Sequence, residues 1–250
     1  MLFTAADLAS RLPSGLGPVQ VVASTGSTNA DLAVAAREGA APGSVKVAFH
    51  QSAGRGRFTR RWEAPPGSSL AMSVLVRPVL PVTSWGWLSL LTGLAVADGI
   101  QAATGLVPEL KWPNDVLLDG RKVCGILAER AAPDLVIIGM GINLTLTADQ
   151  LPVPTATSLA LAGSSASALD VAAGVLGAVA AHLAEQRDLD ALKQAYDRRC
   201  ATIGRRVRVV ESETSAVEGL ALGVDAEGRL LVRVGDRVVP FAAGDVWHLR

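Results

Sequence analysis

The stretch PELKWPNDVLLDGRKVCGILAE, residues 108–129, decides the fold. Residues 108–111, 116–118 and 122–129 are short apolar runs that read as strands, separated by Trp112-Pro113-Asn114-Asp115 and by Asp119-Gly120. Asp-Gly between two apolar runs is a strong hairpin signal, because both turn positions need positive φ. Trp112-Pro113-Asn114-Asp115 reads equally well as an Asx-type turn. Strands joined by hairpins imply an antiparallel or mixed sheet, and a doubly wound parallel one is excluded.

Working outward, residues 4–12 are helical and 19–23 form a strand. Ser27-Thr28-Asn29 opens a helix to about Glu38, with Asp31 as capping partner of Thr28 and Gly39 as the stop. Residues 45–50, 69–77 and 135–144 read as strands, and 84–104 as a buried helix whose face carries Trp85, Leu88, Leu91 and Ala95. After a Pro/Ser/Thr/Ala-rich connection at 151–166, helices are expected at 168–186 and 189–200. Beyond Ile203, runs at 207–210, 218–224, 230–234 and 238–241 alternate with Gly-containing turns, the texture of a small barrel. The expected fold is therefore α+β, a mixed, largely antiparallel sheet flanked by helices. Domain limits are expected at 1–202 and 203–250.

The 250 residues suit one large domain with a small companion, and half of them are hydrophobic, enough to fill a sizeable core. Disorder is excluded. With 23 basic and 23 acidic side chains no global field favours nucleic acid. Cys124 and Cys200 are too few for a disulfide framework or a four-ligand metal site, and read as inert thiols. There is no signal-like N-terminus, and the uncharged window 78–97 reads better as a core helix than as a membrane span, so a cytoplasmic protein is expected. No P-loop, His-Glu-x-x-His or Gly-x-Ser-x-Gly motif occurs, and the three histidines (His50, His182, His248) disfavour a hydrolase triad.

Two segments stand out chemically. Residues 51–62 hold Arg55, Arg57, Arg60 and Arg61 with no acid, spaced by Gly54 and Gly56. Glycine lets backbone approach a ligand closely, and guanidinium forks grip carboxylate or phosphate. Crowded guanidiniums repel, so the loop should stay mobile until an anion arrives. A solvated basic turn and an RNA-binding stripe using Phe58 and Trp62 are the other readings. In the second segment Lys111 and Lys122, two of only four lysines, stand at the ends of the hairpin unit, suited to a phosphate or a developing oxyanion. Gly125, Gly139 and Gly141 are packing positions or clear floor space beneath a flat ligand.

Taken together, Ser27-Thr28-Asn29, Gln51…Gly54-Arg55-Gly56-Arg57…Trp62, Lys111-Trp112-Pro113-Asn114-Asp115, Arg121-Lys122…Gly125-Ile126-Leu127 and Gly139-Met140-Gly141-Ile142-Asn143 resemble the biotin–protein ligases, in order, across residues 24–145. The resemblance implies a class II synthetase-like catalytic domain with an SH3-like C-terminal domain, in the monofunctional type that lacks a DNA-binding domain. It implies activation of biotin by ATP to biotinyl-5′-AMP, with Mg²⁺ carried by the nucleotide, and transfer to a lysine of the biotin carboxyl carrier domain of acyl-CoA carboxylase. Lipoate ligation is the alternative on the same fold. By resemblance, Ser27, Thr28, Asn29, Gln51, Gly54 and the segment Arg55–Arg57 with Gly56 hold the ureido ring. Gly125, Ile126 and Leu127 line the acyl tail. Lys122 serves the carboxylate–phosphate junction; Arg57, Lys111 and Asn114 face the phosphates; Trp62 and Asn143 face the adenosine; Asp115 orients or deprotonates the incoming amine. No DNA or membrane partner and no bound metal are expected, and the protein should be a monomer or weak homodimer.

Overall fold

The computed structural model describes residues 2–58, 60–185, 188–212 and 214–249. A seven-stranded sheet runs in the order β1 (Val19–Val22), β2 (Val45–Ala48), β3 (Ser69–Val76), β7 (Leu135–Asn143), β6 (Arg121–Ala132), β5 (Asp115–Leu118), β4 (Glu109–Lys111). Only β1 and β2 are parallel, joined by α2 (Thr28–Arg37); every other pair is antiparallel. The mixed α+β architecture read from the hairpins is the one observed. All eight residues of β3 are buried, as befits a central strand covered on both faces.

Alternation of side chains along each strand gives the sheet two different faces. Met72, Val74, Ile126, Met140 and Ile142 belong to the large core that includes α3 (Trp87–Thr104) and α4 (Ala168–Glu185). Leu75, Ile137 and Leu32 form a small second core beneath α2. α3 and α4 cross where Gly99 and Gly174 meet, each too close to the other helix's backbone to carry a side chain. α4 is long and apolar enough to cross a bilayer, but its Val171, Val175 and Val179 are buried in the large core.

α3 begins three residues later than the sequence pattern suggests. Gly86 abuts the carbonyl of Glu227, and Trp85 lies outside the helix with Arg130 over its ring at 5.4 Å. The C-terminal residues form a five-stranded antiparallel sheet, ordered β11 (Arg237–Phe241), β10 (Leu230–Val234), β9 (Ser215–Val224), β8 (Arg206–Ser212), β12 (Asp245–His248). β12 had no counterpart in the sequence reading. Two indole N–H groups fasten this sheet to the first: Trp87 donates to the Asp225 carbonyl at 3.1 Å and Trp112 to that of Gly228 at 3.0 Å. That clamp brings β12 beside the arginine loop.

Candidate functional site

The register of the large sheet builds a shallow trough. One row across the strands reads Lys111, Asp115, Gly125, Gly141, Ala71, Ala48. The row two residues along reads Leu127, Gly139, Ser73, Lys46. Small residues run through the middle of both, with charged groups at the first row's end.

Lys122 reaches this face through a β-bulge. Val116 pairs with Cys124 but Leu117 pairs with Lys122, so Val123 is the extra residue. Without it, alternation would send Lys122 to the same side as buried Cys124; a bulge re-aims the side chain. Lys122 Nζ then lies 2.5 Å from Asp115 Oδ1 and within 3.0 Å of where a Cβ on Gly125 would stand. The peptide of Lys122 is held by residues 155–157, its N–H donating to the Thr155 carbonyl and its carbonyl accepting from Thr157 N–H, both at 2.8 Å.

The arginine loop is a hairpin folded over the trough: Gly56 N–H donates to the Arg60 carbonyl and Trp62 N–H to that of Gly54. A side chain on Gly54 would collide with the Trp62 carbonyl, whereas Gly56 has ordinary room. Arg57 donates to Asn114 Oδ1 at 3.4 Å and to the Gly244 carbonyl at 3.1 Å. Asn114 is itself fixed by donating to the Ile126 carbonyl at 2.9 Å. Burial draws the Arg57 guanidinium below its usual pKa, opposed by the attraction of Asp115, without removing its charge. Burial likewise lowers Lys111, with Lys122 and Arg60 adding to the effect and Asp115 resisting it.

The charges of this loop are not uncompensated. Arg55 pairs with Glu129 at 2.9 Å, Arg60 with Asp245, and Arg61 with Glu63 at 3.6 Å. The protein supplies its own counterions, two of them from residues remote in sequence. Thr59 lies outside the described residues. Arg55, Arg57 and Lys122 do not form one cluster. Arg57 stands at the Lys122 end, while Arg55 pairs at Glu129, four residues and about 13 Å along β6 from Gly125.

At that other end, Ser27 caps α2, and Thr28 donates through its N–H to Gln51 Oε1 at 2.8 Å, with its Oγ1 3.1 Å from the same oxygen. A parallel bridge between Thr25 and Gln51 sets the two segments side by side. Asp31 is not the capping partner of Thr28; it accepts from Thr25 Oγ1 and pairs with Lys46. His50 is bonded through Nδ1 to Ser24 Oγ at 2.8 Å. Asn29 fills the space over Gly139, where a Cβ would overlap its amide.

The glycine floor is occupied by this chain itself. The Trp62 indole lies against Gly125 and Gly141, with Lys122 Nζ 5.8 Å from its ring. Its Nε1 is buried with no acceptor among the described residues. Asn143 ends β7 on the same face, donating to the Thr157 carbonyl at 2.8 Å. Ile126 is corrected: period-two alternation points it at Gly93 of α3, so of the expected pair only Leu127 stands on the trough face. Sequence reading also missed Ser73, Glu129, Thr157 and Asp245, which only the register and the small sheet bring here.

The family described as Biotin/lipoate A/B protein ligase family matches residues 21–143, and that described as Biotin protein ligase C terminal domain matches residues 202–249. The chain is 45% identical over 243 residues to a Mycobacterium tuberculosis protein named biotin–[acetyl-CoA-carboxylase] ligase, covering 95% of this chain and 91% of the relative. A Paracoccus denitrificans protein of the same name is 32% identical over 237 residues, covering 89% and 98% respectively. Among solved structures, the Aquifex aeolicus biotin protein ligase in complex with biotin and ATP superposes with a TM-score of 0.78 at 24% identity, over 93% of this chain and 98% of that one. By sequence over nearly its whole length, this chain belongs to the biotin protein ligase family.

Proposed function

We propose that the protein couples biotin to a lysine of a biotin carboxyl carrier domain of acyl-CoA carboxylase, through biotinyl-5′-AMP. The single observation that carries this reading is the sheet row in which Lys111 and Asp115 end a glycine trough, with Lys122 and Arg57 drawn to the same end.

A carboxylate is a poor acyl donor, so its oxygen must first attack the α-phosphorus of ATP and expel pyrophosphate. Negative charge then builds between carboxylate and phosphate, where a fixed cation stabilises it most. Lys122 takes that place. Arg57 and Lys111 steady the phosphates, with Mg²⁺ arriving on the nucleotide and held by phosphate oxygens and water. Asn143 and Trp62 serve the adenosine. Thr28 and Gln51 hold the neutral ureido ring at the far end, and Leu127 flanks the acyl chain.

In the second step the carrier's lysine attacks the mixed anhydride, forming an amide and releasing AMP. The amine must lose a proton, and Asp115 accepts it once Lys122 has turned to the phosphate. Closure of the 54–62 hairpin keeps water from the anhydride. A cytoplasmic setting, where ATP is available, suits this chemistry. The test is to incubate the protein with ATP, Mg²⁺, biotin and a purified carrier domain, then weigh the carrier. A gain of one biotinyl group supports the reading; an unchanged carrier mass opposes it.

A further inference from the structure

A chain of hydrogen bonds runs beneath the ureido end of the trough, and most of its members have no role in the reaction as described. Glu129 Oε2 accepts from Asn29 Nδ2 at 2.7 Å, and the same nitrogen donates to the Leu127 carbonyl at 3.2 Å. Asn29 Oδ1 lies 2.6 Å from Ser73 Oγ, which lies 2.7 Å from Thr28 Oγ1. Thr28 in turn meets Gln51 Oε1. Ser73 is fully buried, and Thr28 and Asn29 nearly so.

Every link but the Thr28 hydroxyl has only one direction available. A carboxylate and a peptide carbonyl can only accept, so both bonds at Asn29 Nδ2 fix its amide with the oxygen toward Ser73. That oxygen cannot donate, so the single Ser73 proton goes to it. Ser73 Oγ then presents lone pairs to Thr28, whose own proton has Ser73 at 2.7 Å or Gln51 Oε1 at 3.1 Å as acceptor. The shorter bond takes the proton toward Ser73. At the other end the Thr28 N–H, which must donate, fixes Gln51 with Oε1 inward and its NH₂ turned away. The outcome is a defined polarity: lone pairs at Thr28 Oγ1 and N–H donors at Gln51 Nε2. A cyclic urea, with N–H beside C=O, is complementary to that pair.

We propose that Glu129 and Ser73 are positioning residues that set the hydrogen-bond polarity of the ureido site, and so its selectivity for an unsubstituted urea. Neither touches the ligand. Glu129 is the stronger of the two anchors, a charged acceptor at 2.7 Å against 3.2 Å for the Leu127 carbonyl. A neutral amide at 129 could face Asn29 through either oxygen or nitrogen, leaving only the longer bond to the Leu127 carbonyl to oppose a flip of Asn29 that reverses the chain. Thr28 would then spend its proton on Gln51 Oε1 and accept from Ser73, leaving it a poorer acceptor for a ligand N–H. Arg55, paired with Glu129 at 2.9 Å, ties the loop to this anchor. The inference rests on the biotin reading above and adds two residues that read the substrate indirectly.

The test compares binding of biotin and of its two ureido N-methyl derivatives to wild type, Glu129→Gln and Ser73→Ala, with ATP binding and thermal melting as controls. Glu129 is partly exposed and its substitution nearly isosteric, so that variant keeps the test open if Ser73→Ala does not fold. Wild type should favour biotin over at least one methylated derivative. Both variants should lose affinity for biotin by about tenfold, as for a lost hydrogen bond, and their preference for biotin over that derivative should shrink comparably, with ATP affinity unchanged. An unaltered preference in folded variants, whatever the overall affinity, would show a merely structural role and overturn the proposal. Wild-type protein that ignores biotin altogether would overturn the ligase reading, and this inference with it.

Discussion

The indole of Trp62 lies so close to Gly141 that a Cβ there would stand 2.5 Å from ring carbon Cε2. The residue assigned to the adenosine thus rests on the floor proposed for the acyl chain. Its Nε1 is buried without an acceptor among the described residues, and a buried donor left unpaired costs about 1–3 kcal/mol, which favours movement off the floor. Biotin and ATP together should move Trp62 and change the emission of a variant in which Trp62 is the sole fluorescent indole. Gly141→Ala should raise the biotin KM by on the order of 10–200-fold, the range for one methylene misplaced in a pocket. Steady-state kinetics at saturating ATP checks this; an unchanged KM would remove Gly141 from the floor.

The loop's tether to the small sheet should be detectable separately. Arg60 with Asp245, and Arg57 with the Gly244 carbonyl, join the hairpin to β12. Asp245→Ala should leave the melting temperature nearly unchanged, since an exposed ion pair contributes about 1 kcal/mol or less. Amide exchange across residues 54–62 should nevertheless quicken. Biotin plus ATP should slow it in wild type, and equal protection with and without ligands would speak against closure.

Much of this arrangement was legible in the chain. Asp119 and Gly120 both take positive φ, as the Asp-Gly signal required, and the α2 start and the arginine loop fall where their residues put them. What sequence could not show depends on register. The one-residue bulge at Val123 decides that Lys122 faces Asp115, and strict alternation beyond it decides that Ile126 does not face the site. Ser73 did leave a trace, a hydroxyl inside an otherwise apolar strand. Glu129 left none, because its partners Asn29 and Arg55 are 100 and 74 residues away.

Stability should depend on pH through His248. Burial, aided by Lys111 and Arg205, holds its imidazole down at about 4, against 6.5 ordinarily. In the fold it is neutral and bonded to Thr202 Oγ1 at 3.0 Å. The unfolded chain binds a proton first as pH falls, so the stabilisation is full above about 6.5 and is lost on descending to about 4. Melting temperature should decline across that window, and more gently in His248→Gln. Parallel curves for the two proteins would exclude His248 as the cause.

Both thiols should be silent. Cys124 is buried behind the trough, its pKa pushed up to about 12, and burial raises Cys200 as well. A thiol reacts as thiolate, so iodoacetamide at mildly alkaline pH should add no mass to native protein and leave its activity intact. Rapid labelling of the folded protein would contradict this placement.

The most direct measurement is exchange of isotopic pyrophosphate into ATP, which reads the first step without any carrier protein. Wild type should show exchange that depends on biotin and is not supported by lipoate. Lys122→Ala should reduce it by on the order of 10²–10³-fold, as for loss of a charge-stabilising donor, with its melting temperature little altered. Exchange that proceeds equally well without Lys122, or that biotin does not stimulate in wild type, would contradict the assignment of this lysine to the carboxylate–phosphate junction.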